Sequence, residues 1–439
     1  MKNGFLSFLM VALCFVLFTE TSKAIPAFAR KYKTSCATCH NGFPKLNAFG
    51  DAFRRNGYQF PGGTDPEFIK EEPVPLGSEG NKRAFPEAIW PGSIPGSSPI
   101  SLFLNSEVDY NPHVNPSDPA TASRISFDGL GNSIEAIAGG SLGEDISFWG
   151  QASLNSDGLE LNRIFLTFSN LVGNSLGLNA KVGVIEPSLF SFSTHRAWME
   201  GYWFTTRSFS SDMGWTIEET QKGIEVNGIL NGRFGYSAGV VEGFGHIHAD
   251  KDFYGHVTYK IGGLPLDGVV EGGAAPNNPQ PYIDNSLTLG AFAYRGFSFF
   301  APTDSVAQDN NMTMVGGDVN AYYERFNFFG GIGIRNDAQP FWGTPGKSAS
   351  TTVWFGEVDV TVFPWLLPGI RLESWNSQTM NSSTGNADKY TDTQIVPGIV
   401  ALVRPNVKAT LRTSIAKLGL NSDKDFHFNQ VMLMLAVGI

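Results

Sequence analysis

From Ile100 to its C-terminus the chain alternates apolar and polar residues with a period of two. In Ile100–Tyr110, Leu102, Leu104, Val108 and Tyr110 alternate with Ser101, Asn105, Glu107 and Asp109, and the last segment carries Val431, Leu433, Leu435, Val437 and Ile439 on one face. Successive side chains of a strand point to opposite faces, so this pattern predicts strands with one apolar and one polar side. Between the two ends the alternation predicts strands near 133–142, 146–155, 161–169, 176–185, 222–230, 233–242, 251–262, 286–294, 314–324, 326–335, 352–363, 367–375, 393–403 and 406–416. The total is about sixteen, an even number, as in a single-chain outer-membrane barrel. Links after Leu142, Ser169, Leu230, Tyr323, Phe363 and Val403 are short, and those after Tyr110, Glu242, Tyr294, Arg335 and Trp375 are long. A spanning barrel alternates turns and loops in this way, which a soluble all-β chain has no reason to do. One link, 263–286, is long where a turn is due and leaves room for an unseen hairpin.

The expected fold is therefore an all-β transmembrane barrel of about sixteen antiparallel strands over 100–439. Fifty glycines and 13% aromatic residues suit closely packed strands with aromatic belts. By parity, Arg163, Lys181, His256, Lys260, Arg335, Arg371, Lys408 and Arg412 face the lumen. So do Glu107, Glu135, Glu225, Asp318, Glu357, Asp359 and Glu373. The lumen carries both signs, and a net charge of −10 points away from nucleic acid.

The N-terminus reads differently. Lys2, an apolar run over 4–18 and a polar tail ending Ser22-Lys23-Ala24 form a secretory signal over 1–24. Of three cysteines, Cys14 lies in that signal and leaves Cys36 and Cys39 in the run Cys-Ala-Thr-Cys-His. C-x-x-C-H is the haem c attachment pattern, in which both thiols add to vinyl groups and His40 becomes the proximal iron ligand. A zinc site would want four ligands, and a redox dithiol would sit in a βαβ unit. Phe43, Leu46, Phe49 and Phe53 recur at helical spacing, with Pro44 suited to a first turn and Gly57 to a C-terminal cap. A small α-helical c-type cytochrome domain is thus expected over 25–60, binding one covalent haem c through Cys36, Cys39 and His40. Arg30, Lys31 and Lys33 would neutralise haem propionates or form a solvated basic face. Residues 61–99, rich in proline and glycine, read as a linker or an irregular plug rather than helix or strand.

The segment IPAFARKYKTSCATCHNGFPKLNAFGDAFRRNGYQF resembles the N-terminal haem domain of outer-membrane porin–cytochrome c fusions. The matched residues are Pro-Ala-Phe-Ala-Arg before the motif, then Pro44, Leu46, Phe49-Gly50, Phe53 and Gly57-Tyr58. That family includes monohaem ferrous-iron oxidases of iron-oxidising bacteria. The resemblance implies electron transfer from extracellular Fe(II) to a periplasmic c-type cytochrome or similar carrier, a ferrous iron:cytochrome c oxidoreductase activity. A second stretch, 181–243, with VGVIEPSLFSF, WMEGYWF, GIEVNG and NGRFGYSAGVVEG, is similar to phosphate-selective porins. Those are sixteen-stranded trimers whose third long loop, here 186–222, folds into the pore. The mixed lumen charges depart from their basic anion ladder.

No methionine lies between Ile25 and Ile100, and His40 is the one histidine there, so the sixth iron ligand must come from elsewhere or be absent. His195 or Met199, spaced i and i+4 in the third loop, is the candidate distal ligand, and His113 a weaker one. His246 and His248, with Asp250 aligned, form a candidate extracellular Fe(II) site. Two rival functions stand beside inward electron transfer. One is outward electron transfer to an extracellular acceptor, and the other a solute or anion porin with a haem plug. No acid–base or nucleophilic constellation stands out.

Overall fold

A computed structural model describes residues 27–438, apart from 73, 76, 88–92, 95, 97, 113–123, 128, 132, 156–157, 174, 194–198, 200, 208–216, 218–219, 244–249, 271–279, 301–307, 345, 382–384 and 420–424. The signal segment, His113, His195, His246 and His248 lie outside the described residues.

Sixteen antiparallel strands form one closed barrel. They are β1 (Ile100–Tyr110), β2 (Ser133–Ser141), β3 (Ile146–Asn155), β4 (Gly158–Phe168), β5 (Asn179–Ile185), β6 (Gln221–Leu230), β7 (Phe234–Val241) and β8 (Asp252–Gly262), followed by β9 (Ser286–Phe300), β10 (Gln308–Tyr323), β11 (Phe326–Asp337), β12 (Ala349–Val360), β13 (Leu366–Asn381), β14 (Asn386–Arg404), β15 (Val407–Leu418) and β16 (His427–Gly438). Each pairs with its sequence neighbour, and β16 closes on β1 with Val431 opposite Tyr110. A two-residue strand, Ile125–Ser126, pairs with the end of β1 and does not span. Closure leaves no sheet edge, so every backbone group at membrane depth has a partner.

The alternation sorts the side chains as read from the sequence. Ile332 and Ile334 on β11, Ile370 and Leu372 on β13 and Val257 and Tyr259 on β8 are exposed on the outside. The fifteen charged residues assigned to the lumen are all buried or half-buried. An outer surface of this kind is stable only against lipid, and the protein is an outer-membrane barrel. No helix among the described residues is long and apolar enough to cross a membrane. Ile332→Arg, near the centre of β11, should cost about 2–4 kcal/mol of barrel stability. Urea titration of the protein folded in lipid vesicles measures this. An unchanged midpoint would mean that Ile332 does not face lipid.

Two loop expectations need correction. The links after Tyr294 and Trp375 are mostly strand: β9 runs on to Phe300, and β13 and β14 extend to 16 and 19 residues. About 9–11 residues suffice to span, so this hairpin projects beyond the membrane. The segment 263–286 holds no hidden hairpin among its described residues, because β8 pairs directly with β9. Instead Leu264 and Gly268 pack on the N-terminal segment.

That segment carries four short helices: α1 (Ala27–Tyr32), α2 (Ala48–Arg55), α3 (Asp65–Phe68) and α4 (Glu79–Ala84). The stretch 61–99 is thus not free of regular structure: it holds α3, α4 and a two-residue pairing of Val74–Pro75 with Ser93–Ile94. Residues 27–69 sit within the lumen and touch opposite walls. The Ala27 amide donates to Ser101 Oγ on β1 at 2.7 Å, and Lys45 forms a buried ion pair with Asp359 on β12. Asn56 donates to the Asp267 carbonyl at 2.7 Å, and Gln59 to the Gly143 carbonyl at 2.8 Å.

The third long loop also folds inward, where α5 (Trp203–Thr206) forms. Leu189, Tyr202 and Phe204 are buried among Phe292, Phe329, Phe355 and Trp375 of the inner wall. The lumen charges fasten this loop. The Arg371 guanidinium lies 4.0 Å from the Tyr202 ring and donates to the Met199 carbonyl at 2.9 Å. Tyr202 donates to Glu357 at 2.9 Å, and the Trp203 and Ser191 amides donate to Glu373 and Asp318. Arg371 is thereby committed to the loop.

Candidate functional site

Cys36, Cys39 and His40 are held by short-range backbone geometry. A 3-10 turn spans Cys36–Thr38, and the His40 amide donates to the Cys36 carbonyl at 2.9 Å. His40 then bridges back to Leu46, with the Asn41 amide donating to the Lys45 carbonyl at 2.9 Å. His40 Nδ1 lies 3.1 Å from the Pro44 carbonyl. A carbonyl can only accept, so Nδ1 carries a proton, as it does in an imidazole that ligates iron through Nε2. This corrects the role expected for Pro44. It lies in the turn facing His40, and the helix begins only at Ala48.

Asn47 was missed as a functional residue, although an Asn just before a helical apolar stripe is a recognisable cap. Its Oδ1 accepts from the Gly50 amide at 2.8 Å and caps α2. Its Nδ2 donates to the Ala37 and Thr38 carbonyls, between the two cysteines. One side chain therefore starts the helix and clamps the motif. Gly50 allows the two to meet, since a Cβ there would stand 2.1 Å from the Cys39 carbonyl oxygen.

Both cysteines are free thiols. Burial pushes the Cys39 thiol up to about 12, with Cys36 adding to it, and burial also raises Cys36.

The motif opens on a cavity of about 590 Å³. Ligand and cofactor pockets commonly run to about 300–1,000 Å³. Phe28, Phe53 and Tyr58 of the N-terminal segment line it together with Phe103 and Trp149 of the barrel. Tyr58 stacks on Trp149 at 5.2 Å between ring centres, and Phe43 stacks on Phe103 at 4.7 Å. Trp149 Nε1 is buried without a hydrogen-bond partner among the described residues. Two thiols, an imidazole and flat aromatic walls around one cavity together fit a covalently held haem.

Arg30, Lys31 and Lys33 do not line the cavity. Arg30 donates to the Ser98 and Ile100 carbonyls, Lys31 pairs with Asp65 at 3.5 Å, and Lys33 is exposed. Arg54 and Arg163 line it instead. Met199 is fully buried among Leu367, Val396 and Val400, away from the cavity lining.

No protein-family profile matches the chain, and no curated protein matches it in sequence. Among solved structures, it is similar to Salmonella typhi OmpF in complex with daunomycin: 9% identity, 77% of this chain and 97% of that chain, TM-score 0.51. It is also similar to the high-pH structure of Pseudomonas putida OprB: 9% identity, 77% of this chain and 94% of that chain, TM-score 0.51. At such identities the likeness is one of fold, that of a porin-type outer-membrane barrel.

Proposed function

We propose that this barrel transfers electrons across the outer membrane through one c-type haem held in its lumen by Cys36, Cys39 and His40. The electrons come from extracellular Fe(II) and leave to a periplasmic c-type cytochrome or similar carrier. The observation that carries this reading is the opening of Cys-Ala-Thr-Cys-His onto an aromatic cavity of about 590 Å³ inside the barrel. When bound, the haem supplies a one-electron couple. The protein supplies placement. Cys36 and Cys39 tether the group, His40 presents Nε2, and the aromatic walls exclude water. The loop around Tyr202 and Phe204 packs into the lumen and lines the same cavity through Tyr202 and Thr205, so it would keep ferric products outside.

The test adds Fe(II) to the purified protein reconstituted in liposomes and follows the haem absorption band. Reduction of the haem, followed by electron delivery to a cytochrome trapped inside, is the expected result. No reduction at neutral or acid pH would remove Fe(II) as the donor.

The porin-type fold favours a second reading, a solute or anion porin in which the haem segment is a plug. Planar bilayers separate the two. A large steady conductance in the intact protein supports the porin, and a closed barrel supports the electron carrier. A midpoint potential below those of common periplasmic cytochromes would reverse the direction of electron flow.

A further inference from the structure

If the haem reading holds, a methionine or histidine as sixth iron ligand must come from outside residues 27–99, which contain neither besides His40. The cavity has one thioether on its lining, Met434 of β16. Even-numbered residues of this strand face the lumen, and Met432 and Ala436 on either side of Met434 are each 7% exposed.

His40 leads to the same wall. Its ring meets Phe43 edge-on at 5.0 Å, and Phe43 stacks on Phe103 of β1 at 4.7 Å. Phe103 is registered opposite Gly438, and a Cβ on Gly438 would touch its ring at 2.9 Å. Met434 stands four residues further along β16, about 13 Å up the wall. The imidazole and the thioether thus line one cavity.

Two other methionines of the lumen hold their sulfurs elsewhere. Met432 Sδ accepts from Arg412 Nε at 3.0 Å, and Met199 is enclosed by aliphatic side chains. Glu135 accepts from Asn105 and Gln151. Lys408 also lines the cavity, but an ammonium must lose its proton before it can bind a metal, whereas a thioether needs no proton release.

We infer that Met434, on the last barrel strand, is the distal axial ligand of the haem, so that barrel closure completes the iron site. The inference rests on the proposed haem attachment.

The test uses the full-length protein purified from outer membranes, with Met434→Ala, Met434→His and Met199→Ala beside the wild type. Methionine ligation gives a sulfur-to-iron charge-transfer band in the ferric protein and raises the potential relative to a second histidine. Met434→Ala is expected to lose that band, become high-spin and bind carbon monoxide when reduced. Met434→His is expected to stay low-spin with a lower midpoint potential, which a merely structural role would not produce. Met199→Ala should match the wild type. Heat-modifiable gel mobility checks that each barrel is folded. An unchanged spectrum in both Met434 variants, or loss of the band in Met199→Ala, overturns the inference. A wild-type protein without covalent haem overturns the attachment itself, a separate result.

Discussion

The Cys36→Ala, Cys39→Ala double variant is expected to reach the outer membrane as a folded barrel that carries no covalent haem. Barrel pairing begins at Ile100, and no strand hydrogen bond involves either cysteine. The thiols point into the cavity and contribute to no disulfide. Their removal therefore deletes the tether without touching the wall. Haem staining of a denaturing gel should fall from one haem per chain to background, while the heat-modifiable mobility of the barrel persists. Retained stain would mean that Cys36 and Cys39 are not the attachment points. A lost barrel would mean that attachment is a condition of folding.

Lys45→Met should release the haem segment from the wall. The Lys45–Asp359 pair is almost fully enclosed, with side chains 9% and 4% exposed, and Lys45 also lies 4.5 Å from the Phe329 ring. Removing one partner leaves Asp359 buried without its counter-ion, at a cost of about 3–5 kcal/mol. The segment has other anchors, at Ala27, Asn56 and Gln59, so loosening rather than loss is expected. Planar-bilayer recordings should show frequent open events in Lys45→Met. Lys45→Met combined with Asp359→Leu should return towards wild type, because the stranded charge is gone. Equal conductance in the single variant and the wild type would mean that this pair does not hold the plug.

The barrel and the segment inside it differ in how legible they are from sequence. The barrel was legible because lipid on one side and lumen on the other force a period of two over every spanning strand. The limits of that signal lie where the lipid ends. The upper parts of β13 and β14, around Ser377 and Lys389, are polar on both faces and read as loop, yet they pair as strand. The long link 263–286 broke the alternation because it grips α2, a contact between residues some two hundred positions apart.

The site was legible in its chemistry and not in its surroundings. Cys36, Cys39 and His40 are contiguous and carry their own meaning. Asn47 was readable as a cap, but its second role, holding the Ala37 and Thr38 carbonyls, needs the folded turn. Arg163, Trp149 and Met434 reach the cavity only after the barrel closes and the N-terminal segment enters it. Their parity was evident in the sequence, but which lumen residues meet the motif depends on where β16 joins β1. His195 and Met199 drew notice through helical spacing in a loop. Met199 takes an aliphatic niche, and His195 lies outside the described residues.

The intact mass of the protein purified from outer membranes tests the central claim most directly. The expected mass is that of a chain beginning at Ile25 and heavier by one haem, the added mass remaining after denaturation and mapping to the peptide that contains Cys36 and Cys39. An exported barrel with the mass of the bare polypeptide would contradict it.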